Sequence, residues 1–312
     1  MGTDSPPLLS VCLITYNHAA YVRQAIESIL SQRVSFRREL IIADDFSTDG
    51  TRDILLEYKS RYPDTISLIL QEKNVGPAQN WLDLIMAPKS EYIAYLEGDD
   101  YWTDPHKLQK QVDVLEQNPH ISLTCTDGIV VDENNAPLDI VYKKPSTEIF
   151  TLENSFTDNP CTSGSILYRT KYLRHFPGYI TRLAWGDYAL HLHLLRHGPG
   201  ILIDEKMAAY RVHAGGVWSA IKKQQNNKKE LQQYFNFYAS VYPHYRAPVL
   251  QENIKKYARL IIRNILYEEI PQAKREKDRK KGLRLLREAA KYNAYAKELS
   301  FRDYIHFFRG II

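Results

Sequence analysis

Three carboxylates stand close together at residues 97–100, where the sequence reads Glu-Gly-Asp-Asp. Hard divalent cations such as Mg²⁺ and Mn²⁺ prefer carboxylate oxygens and commonly keep waters and substrate phosphates as further ligands. Because alternate residues of an extended chain point the same way, Glu97 and Asp99 can face one cleft. Gly98 between them lets a ligand approach the backbone. An acidic turn on its own is usually only solvated, so its position in the fold decides whether it binds a metal ion.

The acidic turn is one of several polar segments that directly follow apolar runs, which we predict to be buried strands. These segments are Tyr16-Asn17, Asp44-Asp45 and Glu97–Asp100. Amphipathic stretches of helical length separate the apolar runs, a pattern that predicts a parallel sheet with helices on its faces. Ligands of such sheets bind beyond the carboxyl ends of the strands. The sequence therefore predicts a binding site where the three polar segments meet.

Charge is distributed unevenly along the chain. The 312 residues carry a formal net charge of +4, yet residues 221–312 hold 21 Lys/Arg against 9 Asp/Glu, a formal +12, and residues 1–220 a formal −8. An acidic body suits a cation site, whereas a basic region suits phosphates, nucleic acid or an anionic lipid surface. With 44% hydrophobic and 25% charged residues, the composition is that of an ordinary globular protein.

The cysteines and the first residues bear on where the protein works. Cys12, Cys125 and Cys161 are odd in number and widely spaced, so they predict neither a disulfide framework nor a zinc site, and they favour a reducing compartment. The first ten residues lack a basic stretch followed by an apolar one, so we expect no secretory signal. No apolar run approaches the roughly 18 residues of a membrane span. We therefore expect a cytoplasmic protein.

Four sequence blocks carry a resemblance to a known family. The chain resembles the family 2 glycosyltransferases of the GT-A fold in the order and spacing of these blocks, which cover roughly the first third of the sequence. They read VCLITYNHAAYVRQAIESILSQ from residue 11, LIIADDFSTDGT from 40, NVGPAQNW from 74 and EYIAYLEGDDYWTDPHKL from 91. The resemblance thins after about residue 120 and returns at Trp185–Asp187 and Tyr210–His213.

The resemblance implies an α/β protein with a nucleotide-diphospho-sugar transferase fold, that is, a Rossmann-like mixed sheet flanked by helices. It implies a catalytic domain over residues 1–220, in which 1–118 form the nucleotide and metal half and 119–220 the acceptor half. Residues 221–312 match no family that we can name, and their apolar stripes and charge predict a basic helical C-terminal extension. Within it we expect a charged linker at Lys274–Lys281 and an aromatic-rich amphipathic end at Phe301–Ile312.

The resemblance also implies which residues bind the donor, a nucleotide-diphosphate sugar. Thr15, Tyr16 and Asn17 resemble the first-strand exit that lines the base pocket, with Tyr16 near the nucleobase. Asp45 occupies the place where such enzymes hydrogen-bond the imide N–H of uracil or thymine, which favours a UDP- or dTDP-sugar. Gly76 falls in the segment that passes the ribose.

The metal and the base are implied in the same way. Glu97-x-Asp99 resembles the family's DxD motif, with Asp99 as the residue that binds Mn²⁺ or Mg²⁺, and with Glu in place of the usual first Asp. His213 resembles a late histidine that some relatives add to the metal sphere. Asp187 matches the catalytic base of an inverting transfer, although Gly186 replaces the usual acidic neighbour. The alternative for Asp187 is an N-cap of the following helix.

The remaining histidines, including His191, His193 and His197, are interpreted as surface or packing residues, because no HExxH pattern supports zinc. We expect a transferase that acts on an acceptor hydroxyl, a glycan or a lipid-linked glycan, in the assembly of cell-surface polysaccharide. The alternatives are a non-catalytic nucleotide-sugar or glycan binder and a sugar nucleotidylyltransferase. The latter would need a glycine-rich triphosphate loop, and residues 11–19 contain no glycine.

The basic C-terminal region has two interpretations. Its helices either pack on the catalytic domain or on a second copy in a homodimer, or they rest on an anionic membrane surface and make the protein peripheral at the inner face. No recognised motif supports nucleic-acid binding, so we expect none.

Overall fold

The computed structural model describes residues 6–157, 159–178, 180, 183, 185–216, 228–297, 299–300 and 302–303. The chain forms two compact units that divide between His213 and Ala214. The domain boundary predicted at residue 220 lies outside the described residues. The same holds for the predicted amphipathic end, of which only Arg302 and Asp303 are described.

The first unit begins with alternating strands and helices, as predicted. Strand β1 is a continuous apolar run that is almost fully buried, and helix α1 presents its apolar stripe to the core. Except for α2, these elements begin and end within two residues of the apolar runs and amphipathic stretches that predict them. The elements are β1 Leu9–Thr15, α1 Val22–Leu30, β2 Arg38–Asp44, α2 Thr51–Arg61, β3 Ile66–Leu70, α3 Pro77–Met86 and β4 Tyr92–Glu97.

The start of α2 differs from the expectation that residues 47–49 open the helix. The helix begins at Thr51, after Gly50 in the left-handed conformation at φ 95°. Asp49 accepts hydrogen bonds from the backbone N–H of Thr51 at 3.0 Å and of Ala19 at 2.9 Å. The Ser47 hydroxyl contacts the Asp44 carboxylate. These polar side chains therefore join the loop to β1 and β2 and delay the helix.

The rest of the first unit mixes strands of different lengths, single helical turns and two longer helices. The three-residue β8 lies between two 3₁₀ segments, Ser163–Ser165 and Thr170–His175. The elements are β5 Tyr101–Trp102, α4 Lys107–Gln117, β6 Leu123–Val131, β7 Ile149–Phe150, β8 Leu167–Arg169, α5 Gly186–Leu195 and β9 Gly200–Arg211.

One mixed sheet runs through the whole unit in the order β3-β2-β1-β4-β8-β6-β9-β5, with β7 also paired to β9. The first four strands in this order are parallel, which places their carboxyl ends at one edge. β8 runs antiparallel to both β4 and β6, and β6 is parallel to β9. Both predicted halves of the catalytic domain thus contribute strands to a single sheet.

The second unit is helical in its described part. Its helices are α6 Lys228–Tyr245, α7 Pro248–Asn264, α8 Ile270–Arg275 and α9 Arg279–Ala296, with a π-helical turn at Ile265–Glu269. The predicted apolar stripes meet through aromatic pairs, since the rings of Tyr234 and Tyr257 stack at 4.7 Å and those of Phe235 and Tyr292 meet edge to face at 5.0 Å.

The charged linker predicted at Lys274–Lys281 is shorter than expected. α8 continues to Arg275, and α9 begins at Arg279 because the Asp278 side chain accepts a hydrogen bond from the backbone N–H of Lys281 at 2.9 Å, which caps the helix. None of the helices in the described ranges is long and apolar enough to cross a membrane.

Candidate active site

The three polar segments meet at the carboxyl edge of the parallel strands. β1 lies between β2 and β4, so its end touches both neighbours. The backbone N–H of Asp45 donates to the Thr15 carbonyl at 3.1 Å, and the N–H of Gly98 donates to the Ile14 carbonyl at 2.8 Å. The residues predicted to bind the nucleotide and those predicted to bind metal are therefore neighbours at one edge of the sheet.

Asp44 and Asp45 are adjacent in sequence, but their carboxylates contact different elements of the fold. Asp44 is fully buried and forms an ion pair with Arg52 at 2.6 Å, so it fixes the start of α2. Asp45 is also buried, and its Oδ1 accepts the backbone N–H of Val75 at 2.6 Å. Asp45 thereby holds the turn before α3, where Gly76 takes φ 87°, a conformation that other residues rarely adopt.

The exit of β1 combines one buried and two more accessible residues. Tyr16 is 46% exposed at the rim of this edge. Asn17 takes φ 54°, and its Oδ1 accepts the backbone N–H of Thr48 at 2.9 Å, so the turn is fastened to the loop after β2. The Thr15 hydroxyl is buried without a hydrogen-bond partner among the described residues. A Cβ on Gly98 would lie only 2.9 Å from Thr15, so this close approach requires glycine.

Asp99 of the acidic turn contacts His213, which follows β9. His213 Nε2 and Asp99 Oδ2 lie 3.0 Å apart, and His18 Nε2 is 3.7 Å from the same oxygen. Burial raises the pKa of Asp99, but the hydrogen bond from His213 and the nearby His18 lower it more, so the pKa lies below its usual value. Asp99 Oδ1 is buried and has no hydrogen-bond partner among the described residues.

Glu97 lies between two other carboxylates. Burial and the negative charges of Asp99 and Asp187 raise the pKa of Glu97 to about 8. The structure therefore brings Asp187, far away in the sequence, within electrostatic reach of the acidic turn. Asp100 is buried as well, and its Oδ1 accepts the backbone N–H of Arg211 at 2.8 Å.

Asp187 lies in the first turn of α5 but does not cap it. The N-cap residue is Trp185, and no side chain caps this helix end. Asp187 Oδ2 instead accepts hydrogen bonds from Asn159 Nδ2 at 3.0 Å and from the Ser163 hydroxyl at 3.2 Å. The N-cap interpretation is therefore wrong, and the carboxylate is held by a separate loop.

Two of the three histidines taken as surface or packing residues are buried and hydrogen-bonded. His191 Nδ1 lies 2.7 Å from Asn159 Oδ1, and His193 Nε2 lies 2.9 Å from the Tyr172 carbonyl. His197 is exposed and stacks on Tyr172 at 4.4 Å. α5 is apolar on all sides and buried, so its histidines find partners inside the protein.

Arg211 is a buried residue of the site that sequence reasoning missed. Its Nε donates to the Asp99 carbonyl at 2.7 Å, and its Nη2 donates to Gln24 Oε1 at 2.7 Å. The guanidinium also lies 4.8 Å from the centre of the Tyr21 ring. The signal was present in the Tyr-Arg-x-His segment, where only the histidine was assigned a role.

The donor atoms fit a divalent ion that takes few ligands from the protein. Asp99 offers a buried, unpartnered oxygen and His213 an imidazole nitrogen beside it. No cluster of three or more His, Cys, Asp or Glu side chains that could hold a metal ion occurs within the described part of the chain. A metal bound by Asp99 and His213 would thus need waters and phosphate oxygens to complete its coordination, as Mg²⁺ and Mn²⁺ commonly do.

The mixed sheet is typical of the GT-A fold of nucleotide-sugar transferases. The acidic turn follows β4, next to the end of β1, and the separate carboxylate on α5 is that of Asp187. Residues 10–176 match the model of glycosyl transferase family 2, and the chain belongs to this family. The structure of TarS from S. aureus in complex with UDP-GlcNAc superimposes with a TM-score of 0.60, at 16% identity, over 97% of this chain and 90% of that one.

Two curated relatives illustrate the similarity in sequence. The uncharacterized protein Rv1520 of Mycobacterium tuberculosis is 35% identical over 214 residues, which are 67% of this chain and 60% of that protein. The chain thus matches about three fifths of the length of this relative. TuaG of Bacillus subtilis, whose name refers to teichuronic acid biosynthesis, is 29% identical over 71% of this chain and 87% of its own.

Proposed function

We propose that this protein transfers a sugar from a UDP- or dTDP-sugar to an acceptor hydroxyl, with inversion, in the assembly of a cell-surface glycan. The observation that supports this most is the position of Asp187 within electrostatic reach of Glu97 in the acidic turn, although Asp187 lies on a different element. Such a transfer needs one group that binds the diphosphate and another that removes the proton of the acceptor hydroxyl. The acidic turn takes the first role, through a divalent ion, and Asp187 takes the second.

Donor binding is assigned to the carboxyl ends of β1, β2 and β4. Tyr16 offers an exposed ring for the nucleobase, and Asp45 offers a buried carboxylate for the imide N–H that uracil and thymine share. Thr15 and Asn17 shape the turn between them, and Gly76 leaves room beside the ribose, since nothing lies within 4 Å of its missing Cβ. TarS, which shares the fold, was crystallised with UDP and with UDP-GlcNAc.

Asp187 is assigned the proton transfer. Its Oδ2 already accepts two hydrogen bonds, so Oδ1 is the oxygen that takes the proton of the acceptor hydroxyl. The hydroxyl oxygen then forms the bond to the sugar carbon, and the nucleoside diphosphate leaves with the electron pair of the bond that breaks. Attack from the face opposite the leaving group inverts the configuration at that carbon.

Asp99 and His213 are assigned to hold Mn²⁺ or Mg²⁺. When bound, such an ion neutralises the pyrophosphate and stabilises the negative charge that develops on the leaving group. A divalent ion held there would take the place of the hydrogen bond between these side chains, in which His213 Nε2 and Asp99 Oδ2 lie 3.0 Å apart. Arg211 stabilises the same turn, because its Nε donates a hydrogen bond to the Asp99 carbonyl.

The acceptor is assigned to a glycan or a lipid-linked glycan. The similarity to TuaG, a protein named for teichuronic acid biosynthesis, supports a polymer of the cell surface. Release of the sugar from its donor is the first activity to test. A hydrolysis screen with UDP-, dTDP- and GDP-sugars and Mn²⁺ should show turnover of a uracil or thymine nucleotide. Normal binding of UDP without turnover of any donor would instead indicate a non-catalytic binder.

The first prediction concerns Asp99. Asp99→Asn keeps the size of the side chain and removes its charge, so we expect loss of Mn²⁺-dependent UDP binding and of nearly all turnover. Titration calorimetry with UDP, with and without Mn²⁺, measures the change. Asp113→Asn removes the same charge from the exposed face of α4 and serves as the control. Unchanged Mn²⁺-dependent affinity in Asp99→Asn would defeat the metal assignment.

We also propose that the second unit rests on an anionic membrane surface, which would make the protein peripheral at the cytoplasmic face. Four exposed cations lie on one face of α9 at intervals of three or four residues, namely Lys280, Arg284, Arg287 and Lys291. No ion pair to any of these four is present among the described residues. Three of them line a groove of about 510 Å³ together with Leu283 and Asp278.

The competing proposal for this region is a packing surface within a homodimer. Acidic residues close to the four cations have partners of their own, because Glu276 pairs with Lys281 at 2.9 Å, Glu288 pairs with Lys228 at 3.0 Å and Asp278 accepts the backbone N–H of Lys281 at 2.9 Å. Even with Asp278 in the groove, the face presents an excess of positive charge, which favours an anionic surface over an identical, equally basic copy.

A further inference from the structure

A chain of hydrogen-bonded polar side chains continues from Asp187 to the buried His191. Asn159 donates from Nδ2 to Asp187 Oδ2 at 3.0 Å, and its Oδ1 lies 2.7 Å from His191 Nδ1. His191 stands one helical turn after Asp187 on α5 and is 0% exposed. Asp187 and His191 are thus joined through a residue of a distant loop as well as through the helix.

The direction of the hydrogen bonds in this chain follows from the chemistry of the groups. An ionised carboxylate only accepts hydrogen bonds, so the amide nitrogen of Asn159 faces Asp187 and its carbonyl oxygen faces His191. That oxygen also only accepts, so His191 Nδ1 carries the proton. Burial lowers the pKa of His191 to about 4, which keeps the ring neutral. His191 Nε2 is buried without a partner among the described residues.

We propose that His191 is a positioning residue which, through Asn159, sets the orientation of the Asp187 carboxylate for proton transfer. This inference rests on the proposed function, in which Asp187 is the base. Donors to the Asn159 oxygen hold the amide with its nitrogen toward Asp187, and the backbone N–H of Cys161 at 3.5 Å is a weaker donor to that oxygen than His191 Nδ1 at 2.7 Å. With His191 donating, the amide nitrogen must point to Asp187 Oδ2, and Oδ1 stays available to the acceptor hydroxyl.

Correct orientation of a catalytic group contributes to the rate without contributing to donor affinity. General base catalysis requires the base within hydrogen-bond reach of the proton that it removes, and small misplacements reduce the rate strongly. Residues behind a catalytic group commonly supply this orientation. Loss of the His191 donor should therefore change kcat and leave the binding of UDP unchanged.

His193 provides a matched control within the same helix. It is 4% exposed, and its Nε2 lies 2.9 Å from the Tyr172 carbonyl, so it is a buried, hydrogen-bonded histidine that no hydrogen bond among the described residues links to Asp187. A loss of stability caused by replacing a buried histidine should be common to both positions. A loss of kcat should be confined to His191.

The test compares His191→Leu, His191→Asn and His193→Leu by kcat and KM for UDP-GlcNAc hydrolysis, or for the sugar nucleotide that the donor screen selects, and by UDP affinity. We expect His191→Leu to lower kcat by about tenfold with KM and UDP affinity within twofold. His191→Asn places an amide nitrogen near the Nδ1 position and should restore most of kcat. His193→Leu should keep kcat.

Three results would overturn the inference: full kcat in folded His191→Leu, a loss in His191→Asn as large as in His191→Leu, or an equal loss in His193→Leu. Should His191→Leu fail to fold, Asn159→Ala interrupts the same path and must lower kcat at constant UDP affinity. Asp187→Asn separates the two proposals. If it keeps kcat, the base assignment itself fails, whereas its loss of kcat beside a fully active His191→Leu rejects only the positioning role.

Discussion

Asp187 carries the proton-transfer step of the proposed reaction with a single oxygen. Asn159 and Ser163 both donate to its Oδ2, which leaves Oδ1 for the proton of the acceptor hydroxyl. The residue lies outside every segment assigned to the nucleotide or the metal. Its contribution to the rate should therefore be separable from donor binding.

The prediction for Asp187→Asn follows from this separation. The amide has nearly the same size but accepts no proton, so we expect kcat to fall by roughly 10²–10⁴, the usual share of general base catalysis. UDP affinity should stay nearly intact. Steady-state kinetics together with UDP calorimetry measure both quantities, and exposed Asp204→Asn is the control. Parallel losses of UDP affinity and kcat would mean that Asp187 belongs to the donor site or to the fold.

At the scale of elements, α4 carries a lysine into the core. Lys107 is 0% exposed, its Nζ donates to Gln111 Oε1 at 2.7 Å, and it lies 4.3 Å from the centre of the Trp102 ring. Burial lowers the pKa of Lys107 to about 7. An unfolded chain keeps its lysines protonated to about pH 10. Between these two values the unfolded state binds more protons, so stability rises with pH.

Lys107→Met removes this proton uptake while keeping a long unbranched side chain. Because the folded wild type holds a buried charge below pH 7 and loses it above, the variant should gain most over the wild type at low pH. From pH 7 to 9, the free energy of unfolding of the wild type should rise by about 2 kcal/mol relative to that of Lys107→Met. The limiting slope for one proton is 1.36 kcal/mol per pH unit, and structural relaxation around the buried lysine lowers it somewhat.

Urea unfolding of the wild type and of Lys107→Met at several pH values measures this trend. Exposed Lys73→Met changes the charge of the chain by the same amount without altering the core, and is the control. Stability curves of the wild type and of Lys107→Met that run parallel from pH 6 to 10 would show that Lys107 stays charged inside the protein, held by Gln111 and the Trp102 ring.

At the scale of the whole molecule, positive and negative charge are separated along the chain. Residues 221–312 carry a formal +12 and residues 1–220 a formal −8. On α9 this excess is concentrated in the face of Lys280, Arg284, Arg287 and Lys291. A lipid surface with anionic headgroups attracts each cation near it by about 1 kcal/mol, and salt weakens that attraction.

Sedimentation with vesicles tests the membrane proposal. We expect the full chain to sediment with vesicles that contain phosphatidylglycerol, to remain in solution with phosphatidylcholine alone, and to be released as salt rises. Replacing the four α9 cations by Gln should weaken binding by roughly a thousandfold, since each contributes about 1 kcal/mol and tenfold corresponds to about 1.36 kcal/mol. Hydrolysis of free donor should not change, because the proposed donor site uses only residues before Ala214.

The control variant replaces four basic residues of α7 by Gln, which are Lys255, Lys256, Arg259 and Arg263, and so changes the net charge equally. Equal loss of vesicle binding in both variants would mean that net charge alone acts and that the α9 face has no special role. Absence of binding at low salt, together with a changed oligomer in the α9 variant, would reject the membrane in favour of a homodimer.

The elements, and the edge at which the site lies, follow from patterns within short stretches of sequence. Apolar runs such as Leu8–Thr15 predict buried strands, and helical stretches between them predict parallel neighbours, so the polar residues after each run were expected to meet. These conclusions depend on residues close in sequence. The short strands β7 and β8 and the 3₁₀ turns carry little periodicity, and the local pattern left them undefined.

The side chains that hold the site together come from distant parts of the chain and meet only when it folds. Arg211 reaches the Asp99 carbonyl across 112 positions of sequence, and Asn159 joins Asp187 to His191 from a loop without a motif. A buried polar group must find a partner wherever the fold places one, because leaving it unpaired costs free energy. Such partners are chosen by packing over long sequence distances, and local spacing holds no trace of them. For this reason the sequence predicted only a surface or packing role for His191. In the structure His191 contacts Asn159, which in turn donates a hydrogen bond to the proposed base.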